Sequence, residues 1–171
     1  MNTLSTNEKK KRARKIKLVL TDVDGVLTDT GVYYSEKGEV MKRFSIRDGM
    51  GVELMRNNGI ETAIITREKS ASVKKRGEKL KMPWIFLGVW SKVEFIPKIL
   101  KKTGLKMNEL AYIGDDINDL EIIQEIAKHG LTASPADAMP VIKTEVHYVA
   151  RADGGHGALR DFADWLLMLR K

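Results

Sequence analysis

Residues 16–26 read Ile-Lys-Leu-Val-Leu-Thr-Asp-Val-Asp-Gly-Val, an apolar run that ends in two carboxylates one residue apart. Branched apolar residues in such a run predict a buried parallel strand. In open α/β sheets the carboxyl ends of the strands form the edge where ligands bind, so we expect Asp22 and Asp24 at the mouth of a cleft. Gly25 permits a tight turn directly after these acids.

The paired acids allow two interpretations. Two carboxylates held close together repel each other, which favours a shared proton or a bound cation. Magnesium is the natural cation because it prefers oxygen ligands. A solvated strand end explains an Asp-x-Asp tripeptide equally well when the tripeptide is taken alone. The spacing to later elements must therefore decide between them.

The composition indicates one domain with a basic N-terminal segment. The chain has 171 residues, of which 43% are hydrophobic and 31% charged, enough for one well-solvated domain with a real core. The first fifteen positions hold six of the basic residues and one acid, so this segment carries +5 of the formal charge of +7. We therefore divide the chain into a basic, disordered tail over residues 1–15 and a single domain over residues 16–171.

The partners and location follow from what the sequence lacks. The tail could contact nucleic acid or an anionic membrane, but no aromatic residues interleave with its lysines. The chain contains no cysteine, which excludes disulfides, thiol catalysis and thiolate metal sites. No apolar run approaches the length of a membrane span, and the tail has no signal-peptide core. We expect a cytoplasmic protein with no membrane partner and no nucleic-acid partner.

The remainder of the chain alternates strands with helices. Residues 31–46 predict a projecting β-hairpin that turns at Glu36-Lys37-Gly38. Pro97 either kinks its helix or shifts the start of that helix. The alternation predicts a doubly wound, parallel, Rossmann-like α/β sheet. Further strands are expected at 61–66, 83–87, 110–114, 130–133 and 147–149, and helices at 48–58 with Asp48 as N-cap, at 68–80, at 91–102, up to 128, after Pro135, and at 158–169.

Polar residues lie on the carboxyl side of four of these strands. Thr66 could simply cap the next helix, Lys92 could be a surface lysine, and acids often lie at a helix N-terminus. Because all of these groups occur in this order at the same edge of the sheet, we expect them to converge on one site. They are Asp22 and Asp24 after the first strand, Thr66 after the second, Lys92 after the third, and Asp115, Asp116 and Asp119 after the fourth.

This set of groups suits phosphoryl transfer from a phosphate monoester. Asp22 is the candidate nucleophile, since a carboxylate can form an aspartyl phosphate. Asp24 is the candidate general acid and then the base that activates water. Thr66 and Lys92 would bind the phosphate oxygens.

The same edge predicts a magnesium site. We expect Asp22, Asp24 and Asp115 to bind Mg2+, with Asp116 or Asp119 in the outer coordination shell. The acids come from the first and the fourth strand of the chain. This order separates the chain from receiver-type phosphoacceptor domains, which carry the acceptor acid on a middle strand.

The motifs resemble a known superfamily. Leu20-Thr-Asp-Val-Asp-Gly-Val26, Ile64-Ile-Thr66, Lys92 and Gly114-Asp-Asp-Ile-Asn-Asp119 are similar to the four motifs of the haloacid dehalogenase superfamily of phosphatases, in their usual order. They span almost the whole chain after the tail. The resemblance implies Mg2+-dependent hydrolysis through an aspartyl phosphate.

Other segments resemble one branch of that superfamily. The hairpin, residues 44–49, the lack of room for a cap domain, and residues 152–161 are similar to the capless branch containing 3-deoxy-D-manno-octulosonate 8-phosphate phosphatase. Members of this branch are typically homotetramers in which the hairpins associate centrally. The C-terminal segment of one subunit helps to close the site of a neighbour. The resemblance implies that Arg76 meets the substrate carboxylate and that His156 and Arg160 belong to the closing segment.

The substrate stays open between two phosphorylated keto-deoxy sugar acids. Octulosonate phosphatases commonly show Thr-Gly-Arg, whereas residues 66–69 read Thr-Arg-Glu-Lys, closer to the pattern of nononate 9-phosphate phosphatases. Glu68 and Lys79 would then bind substrate. Residues 47–49, Arg-Asp-Gly, follow the octulosonate pattern instead. We hold the eight- and nine-carbon acids nearly even, with a slight lean to nine, and Arg67 fits neither pattern.

Two other classes of function compete with the phosphatase. Some C-terminal domains of acylneuraminate cytidylyltransferases keep this fold as non-catalytic oligomerisation modules. Such modules can lose the acids of the motifs, whereas this chain keeps Asp22, Asp24, Lys92 and Asp115. A nucleic-acid binder driven by residues 9–15 is the third hypothesis.

Overall fold

A parallel six-stranded sheet forms the centre of the protein, in a computed structural model that describes residues 4–171. The strand order is β5-β4-β1-β6-β7-β8, so β1 lies between β4 and β6. A separate antiparallel pair, β2 and β3, projects from it. The strands are β1 Leu18–Thr21, β2 Val32–Ser35, β3 Gly38–Lys42, β4 Glu61–Ile65, β5 Trp84–Phe86, β6 Leu110–Ile113, β7 Leu131–Ser134 and β8 Tyr148–Val149.

Helices cover both faces of the sheet. They are α1 Thr6–Ala13, α2 Ile46–Asn57, α3 Ala71–Lys79, α4 Ile96–Thr103, α5 Leu120–Ala127, α6 Pro140–Lys143 and α7 Ala158–Arg170, with 3-10 turns at Met107–Glu109 and Ile117–Asp119. The predicted doubly wound α/β fold with a hairpin is confirmed, and residues 4–171 contain no cap domain, as predicted. None of the helices described between residues 4 and 171 is long and apolar enough to cross a membrane.

Alternation along the strands divides the core into two layers. On β1, Val19 faces the layer under α1, α2, α3 and α7, whereas Leu18 and Leu20 face the layer under α4, α5 and α6. β1 is buried along its whole length. Each fully buried Leu or Ile contributes roughly 1.5–3 kcal/mol. This burial on both faces explains why the strand is an uninterrupted apolar run.

The hairpin is the exposed part of the fold. All four residues of β2 are exposed, and Tyr33 and Tyr34 are 56% and 74% accessible. On β3, Val40 and Met41 are also more than half exposed. Lys42, at the end of β3, is buried instead. The hairpin therefore presents apolar side chains outward and one lysine inward.

Two helix starts differ from the sequence prediction. Asp48 is not the N-cap of α2, because the Ser45 hydroxyl accepts a bond from the Arg47 N–H and the helix begins at Ile46. Pro97 shifts the start of its helix rather than kinking it. It lies in the first turn of α4, where its missing N–H has no helical partner to lose.

The prediction of a disordered tail over residues 1–15 is wrong for residues 6–13, which form α1. Residues 1–3 lie outside the described part of the chain. Arg12 Nη1 donates to the carbonyls of Ala127 and Gly130, 2.7 and 3.0 Å away, beside the C-terminus of α5. Cations are favourable there because the last carbonyls of a helix lack partners. Composition alone could not reveal these acceptors, since they lie more than a hundred residues away in sequence.

Candidate active site

Three carboxylates meet where β1 and β6 end. Asp22 follows β1, and its N–H donates to the carbonyl of Ile113 on β6. Asp115 follows β6, and both carboxylates are buried, at 4% and 9% accessible. Carboxylate oxygens of Asp22, Asp115 and Asp119 lie within 4.8 Å of one another. The parallel pairing of the two strands brings residues 93 positions apart to one edge of the sheet.

Asp119 holds this arrangement together. Its Oδ1 accepts bonds from Lys92 Nζ and from the Tyr112 hydroxyl. Its Oδ2 accepts bonds from the N–H groups of Asp115 and Asp116, at 2.9 and 3.3 Å. A carboxylate has about four acceptor positions, and all are used here. Asp119 therefore positions Lys92 and the turn after β6, and its predicted place in the outer shell of a magnesium ion stays a prediction.

Asp115 offers an oxygen to a ligand. Its Oδ1 is buried and has no hydrogen-bond partner within residues 4–171. Such an oxygen is costly unless a donor or a cation meets it. Gly25, with φ of 84°, makes room for the same carboxylate, because a Cβ there would lie 1.9 Å from Asp115 Oδ2. Asp22 and Asp115 therefore fit a magnesium ion, which prefers carboxylate oxygens.

Burial and mutual charge shift the pKa values of the side chains in this cluster. Burial, with the charge of Asp119, raises the pKa of Asp22 to about 7, although Lys92 opposes the shift from 2.9 Å. Burial and the charge of Asp22 raise the pKa of Asp115 to about 8. Burial alone would lower the pKa of Lys92, but Asp22 and Asp119 raise it. We call Asp22, Asp115, Asp119 and Lys92 the acid floor.

Asp24 lies beside the acid floor with its side chain bound elsewhere. Both of its oxygens contact Lys42 Nζ, at 2.6 and 2.7 Å, and the Thr28 hydroxyl donates to Oδ1 at 3.3 Å. The carboxylate of Asp24 is thus outside the cluster of Asp22, Asp115 and Asp119. Sequence reasoning missed Lys42, because nothing in the spacing of the motifs points to a lysine on the hairpin.

A cavity of about 310 Å3 opens above the acid floor. The predicted residues that line it are Asp22, Asp24, Thr66, Glu68, Asp115 and Asp116. Thr66 is 2% accessible, and its hydroxyl accepts a bond from the Glu68 N–H. Lys92 reaches Asp22 from below, so the predicted catalytic residues meet at one place.

Four predicted substrate-binding residues lie away from this cavity. Arg76 Nη2 donates to the carbonyl of Ser45 at 2.8 Å, and its guanidinium lies over the Phe44 ring. Lys79 is exposed at the end of α3. Neither lines the cavity over the acid floor within residues 4–171.

The other two belong to the C-terminal segment. His156 lines a separate groove with residues 43–47, and its Nδ1 lies 2.8 Å from the carbonyl of Gly154. Arg160 Nε donates to Asp164 at 2.9 Å. Within one chain, the geometry therefore brings Glu68 alone of the predicted substrate-binding residues to the cavity.

The C-terminal segment braces the turn that follows Asp22. The Gly155 N–H donates to the carbonyl of Val26 at 2.9 Å. A Cβ on Gly154 would lie 2.0 Å from the carbonyl oxygen of Gly25. The close backbone contact explains why this segment contains adjacent glycines.

Asp48 anchors the same segment through α7. Its Oδ1 accepts a bond from the Arg160 N–H at 3.0 Å, in the first turn of α7, where the N-cap Gly157 has no side chain. Burial raises the pKa of Asp48 to about 6, against the lowering effect of the backbone N–H groups of Arg160, Gly157 and Leu159. We call this contact the Asp48 anchor. Sequence reasoning missed it because it assigned Asp48 to its own helix.

Comparisons with known proteins agree with this geometry. No protein-family model matches the chain. The 3-deoxy-D-manno-octulosonate 8-phosphate phosphatase of Escherichia coli K12 is 36% identical over 157 residues, which are 92% of this chain and 82% of that enzyme. The enzyme of the same name from Yersinia pestis is 34% identical over the same shares.

Solved structures match as well. The phosphatase of that name from Moraxella catarrhalis, in complex with a magnesium ion, a phosphate ion and KDO, superposes with a TM-score of 0.89 at 32% identity, over 97% of this chain and 94% of that one. The cobalt-bound Haemophilus influenzae enzyme gives a TM-score of 0.87 at 34% identity, over 93% and 91%.

The doubly wound sheet and its acid-lined edge, with no cap domain above them in the part of the chain that the structure describes, define a phosphatase of the haloacid dehalogenase superfamily, a class that uses Mg2+. The predicted superfamily is confirmed. Within it, the identities and the coverage decide the branch. The chain belongs to the family of 3-deoxy-D-manno-octulosonate 8-phosphate phosphatases.

Proposed function

We propose that this protein is a Mg2+-dependent phosphatase that hydrolyses 3-deoxy-D-manno-octulosonate 8-phosphate to the free sugar acid and inorganic phosphate. The observation that carries the proposal is the buried pair Asp22 and Asp115, with Lys92 against Asp22. Asp115 Oδ1 has no hydrogen-bond partner within residues 4–171. The bound magnesium, phosphate and KDO named for the Moraxella catarrhalis relative support it.

The eight-carbon acid is favoured over the nine-carbon acid. The curated relatives that match over most of this chain are named for the octulosonate. This goes against the slight lean to nine carbons that the residues around Thr66 suggested. Those four residues are a weaker guide than the whole chain, because the local pattern at residues 47–49 already pointed the other way.

The catalytic residues have these proposed roles. The carboxylate of Asp22 attacks phosphorus, and the bond to the sugar oxygen breaks as that oxygen takes a proton from Asp24. Water then attacks the aspartyl phosphate while Asp24 accepts its proton, which regenerates Asp22. The Thr66 hydroxyl and Lys92 bind the phosphate oxygens throughout.

Two groups prepare this chemistry. Magnesium, held by Asp22 and Asp115, supplies positive charge for the phosphate oxygens when bound. The predicted third ligand, Asp24, would require its carboxylate to leave Lys42. Both Asp24 oxygens contact Lys42 Nζ. We therefore propose that Lys42 positions the general acid until one Asp24 oxygen turns to the leaving oxygen of the substrate. Lys42→Met should then lower kcat by about tenfold to a hundredfold while KM changes little.

The assembly is proposed to be a homotetramer built on the hairpin. The exposed apolar residues on β2 and β3 leave a surface that water does not favour. Tyr33→Lys with Tyr34→Lys should therefore give a smaller species in sedimentation equilibrium. In such a tetramer the C-terminal segment, with His156 and Arg160, would help to close the cavity of a neighbour. The cytoplasmic location stays a prediction from the sequence.

The other classes of function have less support. A non-catalytic oligomerisation module is not favoured, because the acid floor is complete and buried. The nucleic-acid hypothesis assumed a free basic tail. Two of its basic residues, Lys9 and Arg12, instead donate to backbone carbonyls of the domain.

Phosphate release with a substrate panel tests the proposal. We expect turnover of 3-deoxy-D-manno-octulosonate 8-phosphate to require Mg2+, and to exceed turnover of a nine-carbon 9-phosphate and of glucose 6-phosphate. Preference for the nine-carbon ester would overturn the substrate, and metal-independent turnover would overturn the mechanism.

A further inference from the structure

Glu39 lies next to the lysine that holds Asp24. It precedes Lys42 by three residues on β3, and its Oε2 is 3.6 Å from Lys42 Nζ. The same Nζ contacts both oxygens of Asp24, at 2.6 and 2.7 Å. The ammonium group of Lys42 therefore lies between two carboxylates.

Two hydroxyl groups hold Glu39 in place. Its Oε1 accepts bonds from the Ser70 hydroxyl at 2.5 Å and from the Ser72 hydroxyl at 3.2 Å. Ser70 is buried and is the N-cap of α3. Burial alone would raise the pKa of Glu39, but the bond from Ser70 and the charge of Lys42 lower it. Glu39 is thus a negative charge tied to α3, with its other oxygen beside Lys42.

The buried charge of Lys42 needs a carboxylate beside it. The Lys42 side chain is 1% accessible, whereas those of Asp24 and Glu39 are 31% and 22% accessible. A buried ammonium group that loses its only partner is strongly unfavourable. In the proposed mechanism Asp24 turns to the leaving oxygen, which weakens its contact with Lys42. Without a second carboxylate, Lys42 would resist that movement.

The movement belongs to the transfer of the phosphoryl group. Asp22 forms its bond to phosphorus, and the electron pair of the breaking bond goes to the sugar oxygen, which takes the proton of Asp24. An alkoxide leaves poorly without a proton, so the rate of this step depends on how readily Asp24 reaches the leaving oxygen.

We propose that Glu39 is a positioning residue, which keeps Lys42 paired while Asp24 turns to donate its proton. The inference rests on the proposed phosphatase function and deepens it. Within residues 4–171, Glu39 does not line the cavity over the acid floor. It therefore acts through Lys42 and not on the substrate.

Two esters with different leaving groups test the inference, with kcat/KM measured for each. The octulosonate 8-phosphate releases an alkoxide, which needs a proton, whereas p-nitrophenyl phosphate releases nitrophenolate, which does not. Glu39→Gln keeps the oxygen that accepts from Ser70 and Ser72 but loses the charge beside Lys42. It should lower kcat/KM by about tenfold for the sugar ester and by about twofold or less for p-nitrophenyl phosphate.

Two reference variants calibrate this difference. Asp24→Asn removes the proton donor itself and should lower kcat/KM for the sugar ester by about a hundredfold or more, with a much smaller loss on p-nitrophenyl phosphate. Glu36→Gln makes the same chemical change at an exposed position between β2 and β3. It is the matched control and should leave both values unchanged.

Two further variants show whether Glu39 acts through Lys42. Lys42→Met removes the buried ammonium group, so adding Glu39→Gln to it should slow turnover of the sugar ester by about twofold or less. Ser72→Ala loosens Glu39 and leaves every charge in place. It should lower kcat/KM for the sugar ester by about threefold, as for loss of one hydrogen bond, and change p-nitrophenyl phosphate less.

The outcomes separate this inference from the proposed function. Equal losses on both esters in Glu39→Gln, or no loss on either, would overturn the inference and leave the phosphatase standing. A further tenfold loss on adding Glu39→Gln to Lys42→Met would also overturn it, because Glu39 would then act independently of Lys42. Equal losses on both esters in Asp24→Asn would show that Asp24 is not the proton donor, and the proposed mechanism would fail together with the inference.

Discussion

The acid floor and the Asp48 anchor are two buried carboxylate sites that differ in what surrounds them. Burial raises the pKa values of Asp22 and Asp115 to about 7 and 8, and that of Asp48 to about 6. Each site also contains one buried oxygen without a partner among the described residues, on Asp115 and on Asp48. Asp48 faces backbone N–H groups at the start of α7, whereas the carboxylates of the acid floor face one another below an open cavity.

This difference shows that burial and a raised pKa do not by themselves identify a catalytic acid. The Asp48 carboxylate accepts a hydrogen bond at a helix N-terminus, where negative charge is favourable. It does not line the cavity over the acid floor. The acid floor concentrates like charges, which a bound proton or a cation can balance. Chemistry is therefore assigned to the site whose charges are unbalanced and accessible.

The largest expected effect separates the two sites directly. Asp22→Asn should lower kcat by at least about 10,000-fold, because an amide cannot accept the phosphoryl group. Its thermal midpoint should not fall much, since the change removes repulsion with Asp115 and Asp119. Phosphate release and thermal denaturation measure both. Asp48→Asn is the matched control and should keep most of the activity; loss of turnover in both variants would erase the distinction.

A glycine pair tests how closely the acid floor is fitted. Gly25→Ala should lower kcat by about a hundredfold, because its Cβ must push Asp115 away from its position. Gly59 has a similar φ of 74°, and no atom of residues 4–171 lies within 4 Å of a Cβ placed there. Gly59→Ala should thus show the backbone strain of about 1–3 kcal/mol without the loss of activity. If the two alanine variants have equal kcat, the close fit is not needed.

Magnesium binding should depend on pH at the acid floor. The pKa values of Asp22 and Asp115 in the folded, metal-free protein lie above the ordinary value of 3.8, so the folded state binds more protons than the unfolded state between about pH 4 and 8. Stability without metal should therefore fall as pH rises through this range. Protons on both carboxyl groups compete with Mg2+ for these oxygens, so Mg2+ affinity should rise by about tenfold or more per pH unit from 6 to 8.

Thermal denaturation with and without Mg2+ measures this linkage. The increase in thermal midpoint on adding Mg2+ should be larger at pH 8 than at pH 6. Asp48→Asn should leave that difference unchanged, because the Asp48 anchor does not contact the metal site. An increase of the same size at both pH values would mean that Asp22 and Asp115 do not titrate in competition with the ion.

The smallest effect concerns the Asp48 anchor. Asp48→Ala should lower the free energy of unfolding by about 1–2 kcal/mol, as for loss of a helix N-cap. The kcat should change only a few-fold, through the segment that braces Gly25. Urea denaturation measures the stability, with Asp164→Ala as control, since its surface ion pair with Arg160 contributes roughly 0.5 kcal/mol or less. A loss of kcat well beyond a few-fold, with the free energy of unfolding lowered only as expected, would show that Asp48 acts in the active site.

The predicted strands and the order of their polar ends agree with the structure because each depends on local patterns. The run before Asp22 is buried on both faces, and such strands read as continuous apolar sequence. The predicted helix starts were less accurate where residues of the cap or first turn set them, as at Ser45 and Pro97. The role of α1 was missed because its acceptors, the carbonyls of Ala127 and Gly130, are distant in sequence.

The sequence by itself determined the sheet, the edge that binds ligands and the acids placed there, because periodicity and strand order fix where a strand delivers its last residues. Only the tertiary structure decided which charges meet. It paired Asp24 with Lys42, filled every acceptor of Asp119, assigned Asp48 to α7 and placed Arg67 against Trp90. These contacts join segments far apart in the chain, and their distances depend on packing that no local pattern encodes.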